Sequence, residues 1–292
     1  MQCRICGTKT EERFKAKILG KYVISYYQCS VCRFVQTEEP FWLEEAYGEA
    51  INRFDTGLIG RNINNAVGVS KFLFYFCDYT KQCADYAGGY GLFTRMMRDY
   101  GFDFYTWDQY APNLLAKSFE FEPKTDKGFE LVTSFEFLEH AVNPLEAIQT
   151  MLRLAPTIMF STNIISDPIP DPSNWWYYGT EHGQHISFYT NKTFLFLAQQ
   201  LGIEYYSNGI DLHVLSLIKL PREEVELFLQ TGKLLKPRLY NIIHRTGGSI
   251  FRTIVKQLLG KHIEPMDIIR NTLPSRTQSD YHELRYKIDS KI

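Results

Sequence analysis

The chain has 292 residues, a formal net charge of −1 and an apolar fraction of 45%. That is enough for one large domain with small appendages, or for two modest domains, with a real core. The near-neutral charge sets up no global field to draw nucleic acid, and no run of about 18 apolar residues offers a membrane-spanning helix. With no apolar signal core in MQCRICGTKT, the sequence predicts a cytoplasmic protein.

Four segments separate in chain order: 1–37, 38–80, 81–220 and 221–292. The first holds Cys3-Arg-Ile-Cys6 and Cys29-Ser-Val-Cys32. Each pair can place two thiolates on one turn, and two such turns give a tetrahedral sulfur set suited to structural zinc. A redox motif would need one such pair after a strand, not two in tandem. Four sulfurs leave no open position for water, so the expected role is to fold a small zinc ribbon with little core of its own. Cys77 and Cys83 are then free thiols.

Residues 38–80 read as helical and aromatic, with a helix near Asn62–Tyr79. Residues 81–220 alternate strand-like and helix-like segments, the pattern of a mostly parallel sheet. Cys83–Ala87 predicts a strand, Leu92–Tyr100 a helix, Phe104–Trp107 a strand and Phe129–Phe135 another. A helix capped by Asn143 with Pro144 in its first position follows. Then come a strand at Thr157–Ser161, a helix at Asn191–Gln200 closed by Gly202, and strands at Ile203–Tyr206 and Val214–Leu220.

Asp85-Tyr-Ala-Gly-Gly-Tyr-Gly91 falls between a strand and a helix, where Gly89 and Gly91 let backbone approach a ligand closely. Asp108 ends the next strand and can accept hydrogen bonds from ribose hydroxyls. A dinucleotide fingerprint would put its third glycine where Thr94 stands. S-adenosylmethionine has ribose and adenine but no phosphate, so that loss matters less to it.

This stretch resembles motif I of class I S-adenosylmethionine-dependent methyltransferases, with Ala87 in the place of the family's first glycine. Phe129-Glu-Leu-Val-Thr-Ser-Phe-Glu-Phe-Leu-Glu-His140, with Asn143-Pro144 after it, resembles the family's fourth strand and its sequel. The resemblance covers about residues 70–220. It implies a doubly wound Rossmann-like sheet, with Asp85, Ala87, Gly88, Gly89, Gly91, Asp108, Phe135 and Glu136 as cofactor-binding residues. With the N-terminal ribbon, the layout is similar to methyltransferases acting on sugars, including C-methyltransferases of nucleotide-linked deoxysugars.

Methyl transfer needs an aligned nucleophile and, for a hydroxyl or C–H acid, a base. Glu181-His182-Gly183-Gln184-His185, preceded by Trp175-Trp176-Tyr177-Tyr178, lies in a long connection after the strand at 157–161. Histidines there are candidate bases near neutral pH. His185-Ile-Ser-Phe-Tyr-Thr190 resembles the sugar C-methyltransferases, in which a histidine here is the base; their preceding Glu is Gln184 in this chain. The resemblance therefore implies His185, helped by His182, as catalytic. His185 buttressing the next helix is the bland alternative, and Glu139 and His140 are read as fixing their own loop. Trp175 and Trp176 are expected to wall a substrate pocket. A metal held by His182 and His185 with Glu181 and Asp171 lacks the helical H-E-x-x-H spacing and is disfavoured.

In the last segment, Thr231 to His262 holds seven Lys or Arg and no Asp or Glu, and 249–261 carries an apolar stripe. Such a helix can lie on anionic lipid, but the reading taken is packing on its own domain. The sequence thus predicts an enzyme moving a methyl group to a small polar acceptor. Its rivals are an NAD-dependent nucleotide-sugar oxidoreductase and a zinc-ribbon adaptor with a degenerate methyltransferase fold. No nucleic-acid partner is expected.

Overall fold

A computed structural model describes residues 1–48, 55–233, 266, 269 and 273–289, the side chains of 284–289 excepted. The basic stripe at 249–261 lies outside the described residues. The strands are β1 (Thr10–Ile18), β2 (Tyr22–Cys29), β3 (Val35–Thr37), β4 (Cys83–Tyr86), β5 (Phe104–Trp107), β6 (Val132–Ser134), β7 (Thr157–Ser161), β8 (Ser187–Phe188), β9 (Glu204–Ser207) and β10 (Leu212–Ser216). The helices are α1 (Leu43–Ala46), α2 (Leu58–Phe76), α3 (Leu92–Asp99), α4 (Pro144–Leu154), α5 (Asn191–Leu201), α6 (Arg222–Thr231) and α7 (Thr277–Asp289). Parallel strands joined by helices give the expected mixed α/β fold. No helix among the described residues is long and apolar enough to cross a membrane.

Two compact units divide the chain. The first takes Met1–Thr56, Pro123–Lys127 and Val132–Arg222. In it, β1 and β2 form an antiparallel hairpin with a bulge between Glu12 and Phe14. β3 pairs with β2 on one side and with β8, from far along the chain, on the other. One core collects Ile18, Ile24, Tyr26, Val35 and Trp42 from the N-terminal strands together with Tyr177, Tyr178, Ile186 and Phe188. The segment carrying the ribbon cysteines therefore shares its core with the histidine-bearing segment. That answers the shortage of apolar residues in a lobe of 37.

The same unit holds β6 parallel to β7 and β7 antiparallel to β10, which pairs with β9. α4 buries Ala147, Ile148, Met151 and Leu154, a one-sided helical spacing. Pro144 opens it as expected, but the Asn143 side chain makes no capping hydrogen bond. α5 is capped by a reciprocal Thr190–Thr193 pair and ends at Gly202 with φ +66°. The turn before β10 is tighter than the sequence predicts. Asn208 Oδ1 accepts the Ile210, Asp211 and Leu212 N–H groups, so β10 begins at Leu212 rather than Val214.

The second unit takes Gly57–Glu122, Gly128–Leu131 and Glu223–Ile292. β4 runs parallel to β5, and residues 128–131 run beside β4. There Glu130 N–H donates to the Gln82 carbonyl and Ala84 N–H to that of Leu131. Only Val132–Ser134 of the expected strand at 129–135 carries regular ladder pairing. α2 starts and stops earlier than predicted, at Leu58–Phe76. α7 is fastened to α3 by a buried ion pair. Arg98, fully buried, donates through Nε and Nη2 to both Asp280 oxygens at 2.8 and 2.7 Å, and through Nη1 to Asp103 at 2.7 Å.

Candidate functional site

In the second unit the sequence D-Y-A-G-G-Y-G leaves β4 and enters α3 through three left-handed residues: Ala87 (φ +59°), Gly89 (φ +57°) and Gly91 (φ +82°). Gly91 is the N-cap of α3, and a Cβ there would come 2.4 Å from Asn113 Oδ1. At Gly88 a Cβ would come 2.3 Å from Thr106 Oγ1 and 2.5 Å from Asp85 Oδ2, so that glycine is dictated by close packing on β5. Beside Gly89 a Cβ would meet nothing within 4 Å, so backbone there borders open space. Ala87 holds a conformation that costs a non-glycine residue about 1–2 kcal/mol. The departure from the motif is therefore felt in the backbone.

Asp108, at the end of β5, organises this loop. Its Oδ2 accepts the Gly89 N–H at 2.9 Å, and its Oδ1 accepts those of Tyr110 and Ala111, each at 2.8 Å. A carboxylate offers about four acceptor positions, so capacity remains at Oδ2. Asp85 is buried. The open space at Gly89 and the spare acceptor on Asp108 fit a ribose-bearing cofactor. Thr94, in the place of a dinucleotide motif's third glycine, is fully buried in α3.

In the first unit, Phe135 and Glu136 follow β6. Glu136 takes φ +52°, and its carboxylate accepts the Ser161 hydroxyl at 2.6 Å while Ser161 Oγ accepts the Glu136 N–H at 2.9 Å. A 3₁₀ turn then presents Glu139 and His140. Glu139 is wholly buried. Its Oε1 accepts the Tyr177 hydroxyl at 2.6 Å, and its backbone carbonyl accepts the Ile186 N–H. Burial, reinforced by the charge of Glu136, pushes the Glu139 carboxyl up to about 8.

His185 lies against this turn. Its Nδ1 donates to the Tyr177 carbonyl at 2.6 Å, which leaves Nε2 as a lone pair. Burial, with His140 and His182 nearby, holds it well below the usual histidine range, so it is a neutral imidazole. The His140 and His185 ring centroids are 4.8 Å apart, and burial first, then His182, lowers His140 to about 4. His182 is differently engaged. Its Nδ1 accepts the Gln184 N–H at 3.1 Å, so Nε2 carries the proton of the neutral ring. The structure thus brings His182 and His185 together, at 4.8 Å between rings, but gives only His185 a free lone pair.

The segment bearing these histidines is held by the N-terminal strands. Leu19 N–H donates to the Thr180 carbonyl, Thr37 N–H to that of Ile186, and Trp42 Nε1 to that of Gly183. Gln184 donates to the Ala46 carbonyl, so its side chain is a tether. Trp175 packs on Tyr178 and Phe188, whereas Trp176 is 77% exposed. Glu139, His140, Tyr177 and Tyr47, whose hydroxyl lies 3.0 Å from His140 Nδ1, are absent from the sequence-based site. The E-x-L-E-H run was the available signal for the first two and the aromatic run 175–178 for Tyr177; Tyr47 had none.

Two groups among the described residues have metal-ligating side chains converged: Cys3, Cys6, Cys29 and Cys32, and Glu139, His140 and His185. His182, Glu181 and Asp171 belong to neither group. The four sulfurs lie within 4.8 Å of one another, with Cys3–Cys32 at 3.5 Å and Cys6–Cys29 at 3.4 Å. A hydrogen bond from Cys32 lowers the Cys3 thiol to about 5, and the same bond raises Cys32.

Residues 62–208, half of the chain, match the methyltransferase domain family, and the chain belongs to that family. No curated protein matches the chain in sequence. Among solved structures it is similar to the mitomycin 7-O-methyltransferase, at 13% identity over 60% of each chain with a TM-score of 0.42. It is also similar to human N-acetylserotonin methyltransferase in complex with S-adenosylmethionine, at 15% identity over 52% of this chain and 50% of that one, with a TM-score of 0.37. A Bacillus halodurans protein described as a methyltransferase matches at 13% identity over 47% of this chain and 69% of its own, TM-score 0.38. The chain spans about three fifths of the mitomycin enzyme and half of the human one.

Proposed function

We propose that this chain transfers a methyl group from S-adenosylmethionine to a small polar acceptor, a sugar or nucleotide-linked sugar. The supporting observation is the strand–turn–helix at β4–α3, with left-handed Ala87, Gly89 and Gly91, open space at Gly89 and Asp108 latched to the turn. Asp85 and the backbone from Ala87 to Gly91 shape the cofactor's cradle, and Asp108 Oδ2 has capacity for a ribose hydroxyl. The cofactor supplies an electrophilic methyl on sulfonium. On the acceptor side, His185 Nε2 is the lone pair that takes the acceptor's proton, with its Nδ1–H fixed by the Tyr177 carbonyl. His182 acts as a hydrogen-bond donor beside it. The sugar class rests on the resemblance of His185–Thr190 to sugar methyltransferases, with Gln184 departing from it.

Four thiolates with no other ligand type suit one structural zinc ion, for which sulfur–sulfur edges of about 3.8 Å are expected. The observed contacts of 3.4 and 3.5 Å fit that set.

Calorimetric titration with S-adenosylmethionine, S-adenosylhomocysteine and NAD tests the cofactor, with Asp108→Ala as control. Micromolar binding of the first two, weakened at least about tenfold in the variant, is expected from the loss of a charge-assisted acceptor. Binding of NAD alone would overturn the reading. Nucleotide-sugar acceptors with His185→Ala then test the base.

A further inference from the structure

Glu139 presents a problem that its hydrogen bonds leave half solved. Its Oε1 is met by the Tyr177 hydroxyl, but Oε2 is buried with no hydrogen-bond partner. An unmet carboxyl oxygen inside a protein is costly, and its remedies are a proton, a hydrogen-bond donor or a cation.

The neighbours supply what a cation needs. A carboxylate oxygen of Glu139, one ring nitrogen of His140 and one of His185 lie within 4.8 Å of one another. Both rings turn Nδ1 toward a backbone carbonyl: Tyr177 O at 2.6 Å from His185, and Gln184 O at 3.2 Å from His140. A carbonyl on Nδ1 fixes the tautomer and leaves Nε2 as the ligating atom, the usual second contact of a metal-bound histidine. Tyr177 does this for two of the three residues at once, its carbonyl orienting His185 and its hydroxyl orienting Glu139. The two carbonyls come from the segment that β8 and the N-terminal strands hold in place, so the ligands sit on a braced frame.

We propose that Glu139, His140 and His185 form a second metal site, binding one divalent transition-metal ion. Two imidazoles and one carboxylate select zinc, iron(II), cobalt(II) or nickel(II) over magnesium and calcium, which prefer all-oxygen shells. Three protein ligands leave coordination positions open, unlike the four-sulfur site. The open positions take an oxygen of the acceptor, so the ligand class is a hydroxyl or hydroxy-carbonyl compound. This rests on the acceptor-side reading of the pocket made above. A seated ion would occupy the His185 lone pair and would acidify a bound acceptor hydroxyl, whose proton would pass to solvent water, so His185 is the base only where the metal is absent.

The test counts metal in the full chain. Protein purified without chelator is equilibrated with zinc sulfate, passed through a desalting column and analysed by inductively coupled plasma mass spectrometry. Two ions per chain are expected in the wild type. One is expected in His140→Ala and in Glu139→Gln, which keeps the side chain's shape. Cobalt(II) replacement distinguishes the sites by spectrum: the thiolate site gives an intense sulfur-to-cobalt charge-transfer band, and the second site only weak visible bands that vanish in both variants. A single ion per chain in the wild type overturns the proposal whether or not the variants fold, and leaves His185 as the base. Two ions in every variant overturn it as well. S-adenosylmethionine binding, measured on the same samples, is expected to survive in the variants. Its absence from the wild type would break the methyltransferase reading without altering the ion count.

Discussion

The turn after β4 and the cluster after β6 are both reached at the carboxyl ends of strands, yet they are built by opposite means. The first is made of backbone: seven consecutive residues, three left-handed, tied by one carboxylate from the next strand. The second is made of side chains and carbonyls drawn from Tyr47, Glu139, Tyr177, Gln184 and His185, spread over more than a hundred positions. A backbone site has its requirements written locally, as glycines at fixed spacing. A side-chain site is specified by tertiary packing, and the residue types that form it also occur in ordinary cores.

That difference is sharpest at the four-cysteine cluster, whose disruption should have the largest effect. Cys29→Ser deletes one of the four converged sulfurs, and a structural zinc of the kind proposed for them contributes roughly 10–16 kcal/mol, in apparent terms, to the folding of small sites. The ribbon strands also hold 179–188 through Thr37, Leu19 and Trp42. Hydrogen exchange is expected to accelerate in β1–β3 and in 179–188 together, while α3 and β4–β5 keep their protection. Unchanged protection at 179–188 would show that the histidine segment needs no brace from the ribbon.

The glycine turn, Asp108, the cysteine pairs and the α/β alternation were legible because each is a short pattern with its own physical demand. Gly88 and Gly91 satisfy theirs in the structure, by packing and by φ. Gln184 reads as a defect when set against a family's Glu, and only the fold reveals its bond to the Ala46 carbonyl. The pairing of β3 with β8 joins residues about 150 positions apart, and no local signal encodes it. Glu139 and His140 sat in a recognised motif, but their convergence with His185 depends on the loop that follows β7.

The second unit has its own non-local brace, of a different kind. Arg98→Ala strips Asp280 and Asp103 of the buried cation they share, leaving Arg276 beside both and Arg95 beside Asp280, and breaking a buried pair from one side costs about 3–5 kcal/mol. Urea unfolding should register that loss. Burial alone would raise Asp280, but the hydrogen bonds and charges of Arg98 and Arg95 outweigh it and hold its pKa below the ordinary value. The stabilisation it contributes is therefore present above the carboxylate's unfolded pKa and fades as pH falls through the folded one. Arg98→Ala should flatten that acid limb.

Acid should strain the first unit earlier, through an imidazole. His213 is fully buried in β10, donating from Nε2 to the Thr162 carbonyl at 3.0 Å and accepting at Nδ1 from Ser207 Oγ at 2.8 Å. Burial lowers it to about 4, against the Thr162 carbonyl and Asp211, which pull the other way. A depressed folded pKa means that the unfolded chain takes up the proton first, so this contribution is intact above about pH 6.5 and declines as pH falls toward 4. Between pH 7 and 5 the loss is about 2 kcal/mol. Urea titrations of wild type and His213→Gln at both values should show a decline about 2 kcal/mol smaller in the variant, in which His140, His182 and His185, all lowered by burial, still contribute their own. An equal decline in both would assign the acid sensitivity elsewhere.

The smallest effect on stability separates the two tryptophans. Trp175 is fixed by Tyr178 and Phe188, whereas Trp176, at 77% exposed, loses little contact when truncated. Trp176→Ala should change unfolding free energy by no more than about 0.5 kcal/mol, as for an ordinary surface position. Its ring still packs edge-on against Tyr177, the residue that orients His185 and Glu139. If Trp176 lines the acceptor's approach, the variant should raise KM for the acceptor and leave S-adenosylmethionine binding unchanged. That would be a purely binding effect on the side-chain-built site. A fall in kcat at constant KM would instead place Trp176 behind Tyr177 as part of the frame, and an unchanged enzyme would remove it from the site altogether.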